Sequence, residues 1–70
     1  MFIEISDSAL TSDLIQFLRG RNYLAIEERG QIVAVPLNAL STTADRHRGE
    51  RDLDEWRQLH PGVRVGVVAD

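Results

Sequence analysis

The chain of 70 residues contains no cysteine and no lysine, only two prolines and only four aromatic residues. Without cysteine it can form no disulfide, thiolate nucleophile or cysteine zinc site, which argues against a small secreted protein. No segment approaches the roughly 20 apolar residues of a membrane-spanning helix. Residues 1–5 place an acid inside a short apolar run and carry no basic leader, so we expect neither a signal nor a transit peptide. We therefore expect a cytoplasmic protein with no membrane association.

The composition is that of one ordinary folded domain spanning residues 1–70, with 43% hydrophobic and 27% charged residues. A domain of this size buries only about 60% of the surface that its unfolded chain exposes, so its stability is marginal. The net charge of −3 argues against a protein that coats nucleic acid nonspecifically. All eight basic residues are arginine, which we attribute to codon usage in a GC-rich genome.

Hydrophobic periodicity predicts four strands and two helices in the order β-α-β-β-α-β. Asn22 is expected in the left-handed conformation that ends the first helix, and Gly30 in the tight turn of a hairpin. The predicted elements are strand Phe2–Ile5, a helix over residues 10–21, strand Tyr23–Glu28, a strand over 31–35 that stops at Pro36, a helix over 52–60 and a strand over 63–68.

Residues 41–51 contain one alanine as their only apolar residue, and this composition predicts a long, mobile polar loop. Asp52, followed by Glu55 three residues later, is typical of a capping box and predicts that the second helix starts there. Trp56, the only tryptophan, is expected to fill the core beneath that helix.

This order of elements predicts the α+β class with a ferredoxin-like split β-α-β architecture. The sheet would be antiparallel, in the order 4-1-3-2, with both helices on one face. Residues 32–37 are apolar at almost every position, so the third strand would place apolar side chains on both sides of the sheet. A chain this small cannot cover both sides, and the pattern therefore predicts a partner.

The open side of the predicted sheet would be the partner-binding surface. On the helix-covered side we expect Ile3, Ile5, Leu24, Ile26, Val63, Val65 and Val67. On the open side we expect Phe2, Tyr23, Ala25 and Val68, together with either Val33 and Val35 or Ile32 and Ala34. An apolar patch of this kind on a small protein usually marks an interface.

The sequence favours a small, non-catalytic interaction or regulatory module that forms a homodimer or docks on a protein partner. No cofactor or metal is expected, because His47 and His60 lie in different elements without metal-ligand spacing. The chain also lacks a nucleophile elbow and a phosphate-binding glycine motif. We therefore expect no enzyme.

Two alternatives remain open at this stage. The first is an anion or nucleic-acid site, because the topology would gather guanidinium groups at one end of the sheet. Its candidate residues are Arg19, Arg21, Arg46, His47, Arg48 and Arg51, with Asp45, Glu50 and Asp52 among them. RNA-recognition domains read bases through aromatic residues on the third strand, and residues 31–37 contain none. The second alternative is a small dimeric enzyme with its pocket at the dimer interface.

Overall fold

The computed structural model describes residues 1–37 and 42–69, and over those residues it forms an α+β domain. A four-stranded antiparallel sheet packs against two α-helices. In this part of the chain no helix has the length and apolar content needed to cross a membrane. The elements are β1 (Phe2–Ile5), α1 (Thr11–Gly20), β2 (Tyr23–Glu28), β3 (Gln31–Pro36), α2 (Thr42–Leu59) and β4 (Val65–Ala69).

The strand order is β2-β3-β1-β4, which reads 4-1-3-2 from the opposite edge. β1 and β2 have the predicted bounds. The last strand starts two residues later than predicted and extends to Ala69, because His60 to Val63 form a turn in which the Val63 amide donates to the His60 carbonyl at 3.3 Å.

Helix α1 ends as the sequence predicts, within one residue. Its last residue is Gly20 rather than Arg21, and Asn22 takes the left-handed conformation with φ of 68°. The Asn22 amide donates to the Arg19 carbonyl at 3.3 Å. This is the arrangement of a helix C-terminus that ends with a residue in the left-handed conformation, usually glycine and sometimes asparagine. Farther on, Arg29 and Gly30 both have positive φ, so the β2–β3 hairpin closes through a two-residue turn.

The prediction of a mobile loop over residues 41–51 is wrong, because α2 begins at Thr42. Residue 41 lies outside the described residues. Charge pairs one helical turn apart support this polar half of the helix, with Arg46 Nε 3.3 Å from Glu50 Oε1. Gly49 suggests a loop in the sequence, yet a Cβ at this position would lie 2.7 Å from Met1 Cε. The helix therefore passes close to the start of β1, and the predicted capping residue Asp52 lies inside it.

The core lies between one face of the sheet and both helices. Trp56 is fully buried, as predicted, and is the largest side chain in the core. The other buried apolar residues are Ile3, Tyr23, Ala25, Ile32, Ala34 and Val65 from the sheet and Leu14, Ile15, Leu18 and Leu53 from the helices. Ile5, Val63 and Val67 pack against this cluster and are partly buried.

The predicted facing of β2 is wrong. Tyr23 and Ala25 point into the core, whereas Leu24 and Ile26 point away from the helices. Ala25 lies opposite Ala34, and both are fully buried, so two small side chains let α1 pack close to the sheet. Tyr23 reaches past them to a polar partner on α2. Large side chains at these two positions would hold the helix away from the sheet.

Glycine substitutions offer a stability test of the two helix ends. A Cβ added at Gly20 or at Gly62 would have no atom within 4 Å, but only Gly62 has a positive φ, of 90°. Gly20→Ala should therefore raise the free energy of unfolding by about 0.5–1 kcal/mol, because alanine loses less backbone entropy in a helix. Gly62→Ala should lower it by about 1–2 kcal/mol through left-handed strain. Urea titrations of both variants would check this, and the same sign for both would contradict it.

Candidate functional site

The sheet surface that faces away from the helices, here called the open face, is the most prominent apolar surface of the described chain. Its side chains are paired across neighbouring strands: Leu24 with Val35, Ile26 with Val33, and Val33 with Phe2. Leu24 is 62% exposed, and Ile26 and Val35 are each nearly half exposed. The open face consists of Phe2, Leu24, Ile26, Val33, Val35 and Val68.

Of the residues predicted for this surface, Phe2, Val68 and the pair Val33 and Val35 lie on it. Tyr23 and Ala25 do not, because they are 3% and 0% exposed and belong to the core. The structure also resolves the choice on β3: Ile32 and Ala34 face the helices, and Val33 and Val35 face outward.

The sequence analysis missed Leu24 and Ile26, although a signal for them was present. A two-residue turn at Arg29 and Gly30 pairs residue 28 with residue 31. Residues 24 and 26 must then share a face with residues 35 and 33. The hairpin register alone would therefore have placed Leu24 and Ile26 on the open face once Val33 and Val35 were assigned to it.

The open face has a polar border at the end near the hairpin turn. Glu28, Gln31 and Glu4 lie in one row across β2, β3 and β1. Gln31 Nε2 donates to Glu4 Oε1 at 3.1 Å. Gly66 follows in the same row, and beside it lies an open groove of about 330 Å³ between β1 and β4. The sheet surface is therefore apolar over its centre and one end, and polar at the other end, where Arg29 in the turn and Arg64 beside the groove accompany the two glutamates.

Both edge strands have a main-chain acceptor occupied by an arginine from a helix. The Ala25 carbonyl on β2 accepts from Arg19 Nε at 3.1 Å and from Arg19 Nη2 at 2.9 Å. The Val65 carbonyl on β4 accepts from Arg57 Nη1 at 2.7 Å. A further strand would need these carbonyls to extend the sheet, so both edges are protected against strand addition.

The predicted basic cluster is dispersed and internally paired. Arg19 lies at the edge of β2, and Arg46 pairs with Glu50. Arg21 contacts both Asp52 and Glu55. Arg48 donates to the Arg21 carbonyl at 2.6 Å and lies 4.0 Å from Asp52. Of the predicted set, the structure brings together Arg21 and Arg48, and their charge is offset by carboxylates.

The remaining two members of that set, His47 and Arg51, lie on the outer side of α2. They line an open groove of about 670 Å³, and neither makes an ion pair among the residues described in the structure. Glu50, Asp54 and Arg57 line the same groove, so charges of both signs alternate along it. This is the pattern of a solvent-exposed helix face, and it offers no concentrated positive charge for a phosphate.

Tyr23 joins the sheet to α2 through a partly buried hydrogen bond. Its hydroxyl donates to Asp52 Oδ2 at 2.6 Å, and the Arg48 guanidinium lies 4.9 Å from the centre of its ring. Burial, and then the hydrogen bond to Asp52, raise the pKa of Tyr23 well above its ordinary value. The phenol therefore stays protonated, and its role here is structural.

A second polar contact joins the two helices. Trp56 Nε1 donates to Asp13 Oδ2 at 3.0 Å, and His60 Nε2 lies 3.3 Å from the same oxygen. The His60 ring stacks on Trp56 with 4.0 Å between centroids. These contacts hold α1 against α2 at the edge of the core, and we assign them a structural role.

Within residues 1–37 and 42–69, no three His, Cys, Asp or Glu side chains are grouped so that they could hold a metal ion. The open face thus stands out from the other surfaces by its chemistry, being broad, apolar and uncharged at its centre. Comparisons of the chain with protein-family models, with curated protein sequences and with solved structures found no match.

Proposed function

We propose that this chain is a non-catalytic interaction module of ferredoxin-like architecture that forms a homodimer through its open face. The observation that supports the proposal best is the row of large aliphatic side chains on β2 and β3, which have no cover on that side of the sheet. Exposed apolar patches of this kind on small proteins mark interfaces. The helices already cover the other face, and the arginine contacts protect both edges.

A second copy of the chain fits this surface in size and in chemistry. Four strands spaced about 4.8 Å apart and about five residues long form a face of roughly 19 by 17 Å. An identical face matches these dimensions and brings the same uncharged aliphatic centre, so no charge need be buried without a partner. The two faces together amount to about 650 Å², below the roughly 1,200–2,000 Å² of stable protein interfaces, so any dimer should be weak and reversible.

Sedimentation equilibrium over about 1–500 µM protein is the direct test. We expect the mass to rise from that of the 7.9 kDa monomer towards twice that value, with a Kd of about 10–100 µM. A single 7.9 kDa species up to about 500 µM would overturn the homodimer and leave a different protein as the occupant of the open face.

A matched pair of leucine substitutions tests which surface is used. Leu24 on the open face and Leu59 at the end of α2 are similarly exposed, at 62% and 66%. Leu24→Arg should raise the dimer Kd at least about tenfold, because it places a charge in the aliphatic row of the proposed interface. Leu59→Arg should leave the Kd unchanged, since Leu59 lies outside the open face. Equal effects of the two substitutions would argue against the proposed surface.

A further inference from the structure

The contact between the two helices contains a side chain that can change its charge near neutral pH. His60 directly follows the last residue of α2, and histidine ordinarily titrates between about pH 5 and pH 8. We infer that His60 forms a pH-sensitive contact between α1 and α2, which strengthens when its ring takes up a second proton. The contact is separate from the open face, so the inference does not depend on the proposed homodimer.

Both ring nitrogens of His60 face oxygen atoms. Nδ1 lies 3.0 Å from the carbonyl oxygen of Trp56, and Nε2 lies 3.3 Å from Asp13 Oδ2. A neutral imidazole carries one N–H, so in either tautomer one of its nitrogens directs a lone pair at an oxygen. The doubly protonated ring presents an N–H to the carbonyl and a positive charge to the carboxylate. The geometry therefore favours the charged ring.

Two further features of this contact favour a positive charge on His60. The Trp56 carbonyl is one of the last four of α2, and the C-terminal end of a helix carries a partial negative charge. The His60 ring also stacks on the Trp56 ring, with 4.0 Å between centroids and 21° between planes. A cation over an aromatic face is attracted by it. Asp13 therefore joins both rings, since it also accepts from Trp56 Nε1.

The other charged groups of this neighbourhood have different partners. Arg57 lies one helical turn before His60 on α2, donates to a carbonyl on β4 and lies 3.5 Å from Asp54 Oδ1. β4 itself contains no titratable residue. Arg64, which precedes β4, lines the groove between β1 and β4. Among the residues that the structure describes, Asp13 on α1 is the carboxylate paired with His60.

The direct test compares the stability of the parent chain with that of His60→Gln at two pH values. Glutamine is close to histidine in size but takes up no proton in this range. Urea unfolding at about pH 7.5 and about pH 5.5 brackets the ordinary titration of histidine. From the higher to the lower pH, the unfolding equilibrium constant of the parent should fall about three- to tenfold relative to that of the variant. The ratio of the two chains cancels the effect of groups that titrate in both.

Two further variants show whether the effect belongs to this contact. His47→Gln is the matched control, because His47 is the other histidine and lies on the outer side of α2. Its ratio to the parent should be the same at both pH values. Asp13→Asn keeps an oxygen that can accept from Trp56 but removes the charge, so in this background His60→Gln should lose most of its pH dependence. An unchanged ratio for His60→Gln, or an undiminished effect in the Asp13→Asn background, would overturn the inference.

Tryptophan fluorescence gives a second measurement on the unmodified chain. Trp56 is the only tryptophan, and its ring is in contact with His60, so its emission should change between about pH 7.5 and about pH 5.5 as one proton binds. His60→Gln should remove this change, and His47→Gln should retain it. Emission from the parent chain that stays constant over this range would overturn the inference, as would a change that persists in His60→Gln.

Discussion

Trp56→Ala is expected to lower the free energy of unfolding by about 3–5 kcal/mol, the largest single effect that we predict for this chain. Trp56 is fully buried, and it is the largest side chain in the core between α2, α1 and the sheet. Its removal leaves a cavity, and the surrounding side chains of this small core can fill that cavity only in part. The hydrogen bond from Nε1 to Asp13 at 3.0 Å is lost as well.

The effect is large relative to the stability of the whole domain. A chain of 70 residues has a free energy of unfolding of about 4–10 kcal/mol on the usual per-residue scale. A loss of about 3–5 kcal/mol would therefore leave a substantial fraction of the variant unfolded at 25 °C. Urea unfolding followed by far-UV circular dichroism measures this, since the variant has no tryptophan fluorescence.

Leu59→Ala provides the matched control for this experiment. Leu59 lies three residues farther along the same helix and is 66% exposed, so its truncation should change the free energy of unfolding by less than about 0.5 kcal/mol. Both variants and the parent chain should be compared at one low concentration, where dimer formation does not add to the apparent stability. A loss below about 1 kcal/mol for Trp56→Ala would contradict the described core.

Local signals in the sequence predict most of the elements correctly, because turns and helix ends depend on a few neighbouring residues. Asn22 after the first helix and Gly30 in the hairpin both follow from the left-handed conformation that these residue types tolerate. The bounds of β1 and β2 follow from alternation and from these stops. Such features need no knowledge of the tertiary structure.

Two errors arose where tertiary contacts override local pattern. The first half of α2 has almost no apolar residues, and its glycine indicates a loop. The structure shows that Gly49 lies inside the helix, where the helix passes the end of the Met1 side chain. On β2, the larger aliphatic residues were assigned to the core, whereas close packing of α1 selects Ala25 and leaves Leu24 and Ile26 outside. Size and hydrophobicity alone do not reveal how closely a helix approaches a sheet.

These errors changed the candidate site more than the fold. The apolar character of β3 indicated an open, apolar sheet face, and the structure has one. The sequence analysis nevertheless misses Leu24 and Ile26 on β2, and it wrongly includes Tyr23 and Ala25. A shift of one residue moves every side chain of a strand to the opposite face of the sheet. The error on β2 therefore leaves the predicted topology unchanged but exchanges the residues predicted for the open face and for the core.

The second large effect is a loss of stability in alkali that comes from one side chain. Tyr23 is the only tyrosine, and the chain has neither cysteine nor lysine, while arginine stays charged to above pH 12. Between about pH 8 and about pH 12, Tyr23 is therefore the one side chain whose ionisation can change the free energy of unfolding. The prediction depends on its burial and on its hydrogen bond to Asp52.

The sign of the effect follows from proton binding in the two states. Burial and the bond to Asp52 raise the pKa of Tyr23 in the folded chain, whereas the unfolded chain releases this proton at about pH 10. Below about pH 10 both states hold the proton, and the stabilisation is fully present. Above it the unfolded state holds one proton fewer, so the free energy of unfolding should fall progressively as the pH rises from about 10 to about 12, by at most about 1.4 kcal/mol per pH unit.

Tyr23→Phe should remove this alkaline loss and serves as its control. At pH 7 the variant lacks the hydroxyl bond to Asp52 and should be less stable than the parent chain by about 1 kcal/mol. Its free energy of unfolding should then stay level from about pH 9 to pH 12 while that of the parent falls, so the two curves cross near pH 11. Urea titrations at each pH measure both curves. Parallel curves over this range would show that Tyr23 ionises as readily in the folded chain as in the unfolded one, which its burial and its hydrogen bond to Asp52 should prevent.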